Sequence, residues 1–190
     1  GRLSTLLLHA PDGRLRLRNL LDDFRPDYDL LLIDTQGARS VLLEMAILAS
    51  DLGVSPITPE MLAARELRRG TLKLLSELEP FRHQGISPPP LRLLLNQVNA
   101  IRTDTRMIIR GLRETFAEAT NISVLGTVVP DRVAYLNAAS LGLPVHRIET
   151  RRSLKRRSSS ALETMQALAI ELFPEWRDAI SRVSRCSEVQ

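Results

Sequence analysis

Short apolar runs that do not alternate with polar residues recur between stretches of helical period, and this order restricts the fold of the 190-residue chain more than any other feature. Tyr28-Asp-Leu-Leu-Leu-Ile-Asp34, Val54 to Ile57, Leu91 to Leu95 and Ser123 to Val129 are such runs. A strand that is apolar throughout must be covered on both faces, the situation of a parallel sheet. Between the runs lie helices. Leu15 to Phe24 puts Leu17, Leu20, Leu21 and Phe24 on one side before Pro26 ends it. Ser40 to Ser50 is a second helix, and Glu60 to Leu78 a long amphipathic one with Leu67, Leu74, Leu75 and Leu78 inward. Thr103 or Asp104 can cap a helix to about Ala119, with Ile108, Leu112, Phe116 and Ala119 inside.

Asp131 to Leu141 is a short helix closed by Gly142, and Val145 to Ile148 a last extended piece. Ser160-Ala-Leu-Glu163 has the form of a capping box, opening a helix with Leu162, Met165, Leu168, Ala169 and Leu172. The expected fold is therefore α/β, a mostly parallel sheet with helices on both faces. In such sheets ligands bind beyond the carboxyl ends of the strands. That singles out Asp34-Thr35-Gln36, Asn96-Gln97 and Pro130-Asp131.

Composition narrows the function classes. With 44% apolar and 25% charged residues the chain is globular rather than disordered. Aromatics at 4% do not supply a base-stacking platform for single strands. The one cysteine and the three scattered histidines, His9, His83 and His146, lack the spacing of a metal site. No apolar run has the length of a membrane span and no signal peptide is visible, so a cytoplasmic location is expected. The start at Gly1 rather than Met suggests a fragment or a processed product.

The net charge is +4, carried by 24 arginines and only two lysines, Lys73 and Lys155. Arginine forks suit phosphate contacts, a mild pointer to nucleic acid. Five of the seven residues in Arg151-Arg-Ser-Leu-Lys-Arg-Arg157 are basic. Arg65, Arg68 and Arg69 form a second group, and Arg102, Arg106, Arg110 and Arg113 a stripe at helical spacing.

Tyr28 to Asp34 has the form of a Walker B strand, whose terminal carboxylate suits a hard Mg²⁺ ion, often through a retained water. A helix follows, then Ala49-Ser-Asp-Leu-Gly-Val-Ser-Pro-Ile-Thr-Pro-Glu60, Leu91-Arg-Leu-Leu-Leu-Asn96, Val124-Leu-Gly-Thr-Val-Val-Pro130-Asp-Arg-Val and Ala139-Ser-Leu-Gly142-Leu-Pro144-Val145. In this order and spacing the series resembles the ParA/MinD family of deviant Walker A P-loop ATPases over about residues 15 to 175.

The resemblance implies a P-loop NTPase-like three-layer fold without its N-terminal strand and loop. It implies one nucleotide-binding domain over residues 1–175 and a polar tail over 176–190. Asp34 would hold Mg²⁺ through water, Thr35 and Gln36 would sit near the γ-phosphate switch, and Gln36 departs from the family's usual proline. Asn96 would meet the adenine edge, with Pro130 and Asp131 on the other side of the base.

Arg151, Arg152, Lys155, Arg156 and Arg157 would contact DNA nonspecifically. ATP and Mg²⁺ are the implied cofactors. Nonspecific DNA, a ParB-like protein and a second copy in an ATP-dependent dimer are the implied partners. No membrane partner is expected, and the implied location is the cytoplasm, in association with the nucleoid. No G-x-x-x-x-G-K-[ST] occurs in the chain, so hydrolysis is expected of a longer protein rather than of this stretch. The competing expectations are a MinD-like membrane-positioning ATPase and a non-catalytic interaction domain on the same fold.

Overall fold

A computed structural model describes residues 10, 12–99, 103–117, 121–152 and 158–186. Its sheet has three strands in the order β1 (Gly53–Ile57), β2 (Leu91–Val98) and β3 (Ile122–Pro130). At the strand starts, the Gly53 amide donates to the Pro90 carbonyl and the Leu91 amide to the Asn121 carbonyl. At the far end the Asp131 amide donates to the Val98 carbonyl, so like ends lie together and the sheet is parallel. In the middle strand Leu93 and Leu95 are 0% exposed and Leu94 9%, as an unalternated apolar run requires.

The helices are α1 (Arg16–Asp22), α2 (Val41–Ala49), α3 (Met61–Leu78), α4 (Thr103–Phe116), α5 (Val133–Leu141), α6 (Val145–Ile148), α7 (Ala161–Leu172) and α8 (Arg177–Cys186). The chain divides into two compact units. One holds Gly1–Val54, Arg65–Arg92 and Ala119–Ile122; the other holds Ser55–Ala64, Leu93–Glu118 and Ser123–Gln190.

In the first unit Leu17 of α1 packs on Val41 and Met45 of α2. Ser40 caps α2 by accepting from the Leu43 amide at 3.2 Å, which satisfies one of the amides a helix start leaves open. At the other end of α2 the Arg18 guanidinium donates to the Leu48 carbonyl at 3.0 Å, where a cation meets the negative end of the helix dipole. Arg14 pairs with Glu44 at 2.7 Å, and Arg39 pairs with Glu77.

In the second unit Leu94, Leu125 and Val129 make a core against Tyr135, Met165, Leu168 and Leu172. Gly142 ends α5 at φ 62°, the left-handed conformation glycine adopts without a Cβ clash. Its amide bonds to Ala139 and the Leu143 amide to Ala138, the pair of bonds that closes a helix in a Schellman turn. The Ser160–Glu163 capping box is formed in both directions, at 3.1 and 2.7 Å.

Two local expectations change. Tyr28 to Asp34 forms no strand and joins no ladder among the described residues, and it is solvated rather than buried: Leu32 is 85% exposed. Apolar character gives a segment reason to enter a sheet, but only a neighbouring strand supplies the backbone partners that hold it there. Val145 to Ile148 forms a single helical turn, started by Pro144, whose fixed φ suits the residue leading into a helix.

Candidate functional site

The bond from the Asp131 amide to the Val98 carbonyl, 3.1 Å, sets the end of β3 beside the end of β2. Asn96, Pro130 and Asp131 thereby share one neighbourhood at the carboxyl edge of the sheet, within the second unit. Asn96 and Pro130 are half-buried and Asp131 is exposed. Gln97, next to Asn96, holds φ 55°, the one described non-glycine residue in left-handed backbone. That conformation costs a non-glycine residue roughly 1–2 kcal/mol, and such strain collects where side chains are being aimed. Nothing in the sequence announced it.

Asp34, Thr35 and Gln36 are consecutive, exposed and part of the first unit. Arg151 and Arg152 are exposed, while Lys155, Arg156 and Arg157 lie outside the described residues. Among the described residues no three His, Cys, Asp or Glu side chains come together as a metal cluster.

The turn after β3 is anchored by a pair the sequence did not reveal. Arg132 Nη1 lies 2.8 Å from Glu149 Oε2, and the same oxygen accepts from the Ala161 amide at 2.9 Å. The Glu149 carbonyl accepts from the Leu162 amide at 3.1 Å. One residue thus ties the entry of α5 to the start of α7, immediately before Arg151 and Arg152.

The Tyr135 hydroxyl, close to this pair, is buried with no hydrogen-bond partner. Burial pushes its ionisation upward, Arg132 pulls it down and Glu149 adds a further rise. An unpaired buried hydroxyl is a net cost, so Tyr135→Phe is expected to leave stability unchanged or raise it by up to about 1 kcal/mol. A urea midpoint that falls instead would reveal a partner for the hydroxyl.

Glu171 of α7 bridges to the sheet. Its two oxygens accept from the amides of Gly126, 2.6 Å, and Thr127, 2.8 Å. A Cβ on Gly126 would come within 3.4 Å of the carboxylate, so glycine suits this close approach. Burial, the largest influence, raises the Glu171 carboxyl; the Thr127 hydroxyl, the two amides and Arg113 together outweigh it and leave the group below its ordinary 4.5.

A depressed carboxyl contributes stability that is complete above its unfolded value and is lost as pH falls through the folded one. Acid unfolding of Glu171→Gln should therefore show a shallower loss below pH 4.5 than the parent chain, with a deficit of about 1 kcal/mol at neutral pH because the group is solvent-exposed. Parallel unfolding curves for both proteins across that range would show that the carboxylate does no such work.

No family model matches the chain. An uncharacterized protein of Methanocaldococcus jannaschii is 22% identical over 144 residues, 76% of this chain and 53% of its own length. The ATP complex of Cyanothece McdA superposes with a TM-score of 0.62 at 18% identity, covering 76% of this chain and 54% of McdA. A plasmid partition protein of Borrelia burgdorferi B31, solved with AMPPNP, superposes with a TM-score of 0.54 at 18% identity, covering 86% of this chain and 57% of that protein. The chain thus spans about half the length of the relatives it matches. Its parallel sheet, with Asn96 near the end of β2 beside Pro130-Asp131 at the end of β3, is built on the fold of the ParA-type partition proteins.

Proposed function

We propose that this chain is the nucleotide- and DNA-facing portion of a ParA-like partition ATPase. It would act as a switch that binds DNA nonspecifically when loaded with ATP and segregates plasmid, chromosomal or mobile-element DNA with a ParB-like partner. The observation that carries the reading is the junction of β2 and β3, where the Asp131 amide bonds to the Val98 carbonyl near Asn96 and left-handed Gln97, at the edge where parallel sheets of this kind bind ligands. The fold it shares with proteins solved with ATP or AMPPNP supports the same reading.

In this mechanism Asn96 offers a donor and an acceptor to the adenine edge, and Pro130 and Asp131 flank the base largely through backbone. Asp34 holds Mg²⁺ through water, and Thr35 and Gln36 lie beside the γ-phosphate. The ion would neutralise phosphate charge. Residues Arg151, Arg152, Lys155, Arg156 and Arg157 meet DNA phosphates once two copies pair around ATP.

The test is titration of fluorescent ATP with Mg²⁺ into the chain and into its longest native form. Asn96→Ala should weaken binding roughly 5- to 30-fold, the effect of about 1–2 kcal/mol from an unpaired base edge. Asp34→Ala should weaken it only when Mg²⁺ is present. If the native form binds no nucleotide, the ATPase reading fails.

A further inference from the structure

β3 has β2 on one side and no strand on the other among the described residues, so it is an edge of the sheet. An edge strand presents amides and carbonyls without ladder partners, and proteins blunt such edges with charge, proline, bulges or a covering element. The run Ile122-Ser-Val-Leu-Gly-Thr-Val-Val129 has no charged side chain, and proline enters only at Pro130, the last residue of the strand. Uncharged runs rich in Val, Ile and Thr are the segments that pair with copies of themselves.

The charge at this strand comes from elsewhere in the chain. Glu171 of α7, 45 residues away, accepts from the Gly126 amide at 2.6 Å and from the Thr127 amide at 2.8 Å. Consecutive amides of a regular strand point to opposite sides, so a straight ladder could not offer both to one carboxylate. The middle of β3 is therefore turned locally, with two adjacent amides aimed at one anion as in a bulge or a backbone nest. Gly126 and Glu171 are both exposed, so the contact lies at the protein surface. The packing of α7 on the sheet is made separately, by Met165, Leu168 and Leu172 against Leu94, Leu125 and Val129. A strand approaching this edge would meet a carboxylate where it needs a carbonyl, on backbone turned out of line.

We propose that Glu171 closes the edge of β3 against a second copy of this chain. Without the carboxylate, two such edges can pair about a two-fold axis, each supplying the backbone partners that the other lacks. A second copy is the occupant because an uncharged strand meets no like-charge repulsion when it faces itself. The inference needs neither nucleotide nor DNA, so it stands or falls apart from the function proposed above.

Size-exclusion chromatography with light scattering, on the nucleotide-free chain over a range of concentrations, tests it. Glu171→Ala should move to the mass of a dimer or a larger species at concentrations where the parent's mass does not change. Glu171→Ala/Gly126→Lys should return to the parent's mass. An edge lysine repels a second copy, and with Glu171 gone its Cβ no longer meets the carboxylate at 3.4 Å. Both variants lose the Glu171 contacts, so a purely structural role for that residue would leave the two alike. Amide exchange at Gly126 and Thr127 should be faster in Glu171→Ala than in the parent at low concentration, and should slow as the copies pair.

If Glu171→Ala does not fold, Glu171→Gln takes its place. It keeps the size, removes the charge and sets an NH₂ group against one of the two amides. A folded variant with the parent's mass at every concentration overturns the inference. Equal association of the single and double variants also overturns it, because a loosened fold rather than an open edge would then be the cause.

Discussion

Glu149→Ala is expected to destabilise the protein by about 3 kcal/mol, the low end of the range for stranding one member of a buried ion pair. The side chain of Arg132 is 8% exposed and that of Glu149 22%, so water reaches the pair only from the carboxylate side. Removing the carboxylate leaves a guanidinium with little solvent and opens the Ala161 amide at the start of α7. The loss should appear as a lower urea midpoint with an unchanged slope. Arg132→Met combined with Glu149→Leu should recover most of the stability, because a buried pair replaced by apolar groups of similar size is often neutral. A cost below 1 kcal/mol for Glu149→Ala would show that Arg132 finds another partner or water. Because Glu149 precedes Thr150 and Arg151, the same variant tests whether this anchor sets where the exposed arginines leave the fold.

Leu95→Ala should cost about 2–5 kcal/mol, through lost transfer energy and the cavity left in the middle of the sheet. Leu95 is 0% exposed on the central strand and has no solvated side to relax toward. Leu32→Ala is the matched comparison: the same chemical change at a residue 85% exposed should fall within about 0.5 kcal/mol of zero. Thermal or urea denaturation of the two variants separates the cases directly. A large loss for Leu32→Ala would place Tyr28 to Asp34 inside a sheet as a true Walker B strand. Near-equal, small losses would show that β2 is not the core.

Much of this arrangement was legible in the residues. The order of strands and helices, the double burial of Leu93 to Leu95, the Ser160–Glu163 capping box and the glycine stop at Gly142 are local consequences of side-chain type and period. Asn96, expected at a strand end, instead lies inside β2, which runs on to Val98, while Pro130 does end β3.

What tertiary structure decided is of another kind. Leu30, Leu31 and Leu32 are as apolar as Leu93 to Leu95, yet one run is solvated and the other is the core. The difference is whether a neighbouring strand pairs with the backbone, which no side chain encodes by itself. The Arg132–Glu149 anchor, the hold of Glu171 on Gly126 and Thr127, and the left-handed Gln97 likewise join positions or impose angles that local pattern does not contain. Local sequence determined most of the helices and buried strands and where several of them end, because those follow from period and capping, but it did not determine Tyr28 to Asp34 or Val145 to Ile148. The contacts that aim those ends depend on residues up to 45 positions apart, and only the folded chain brings them within reach of a hydrogen bond.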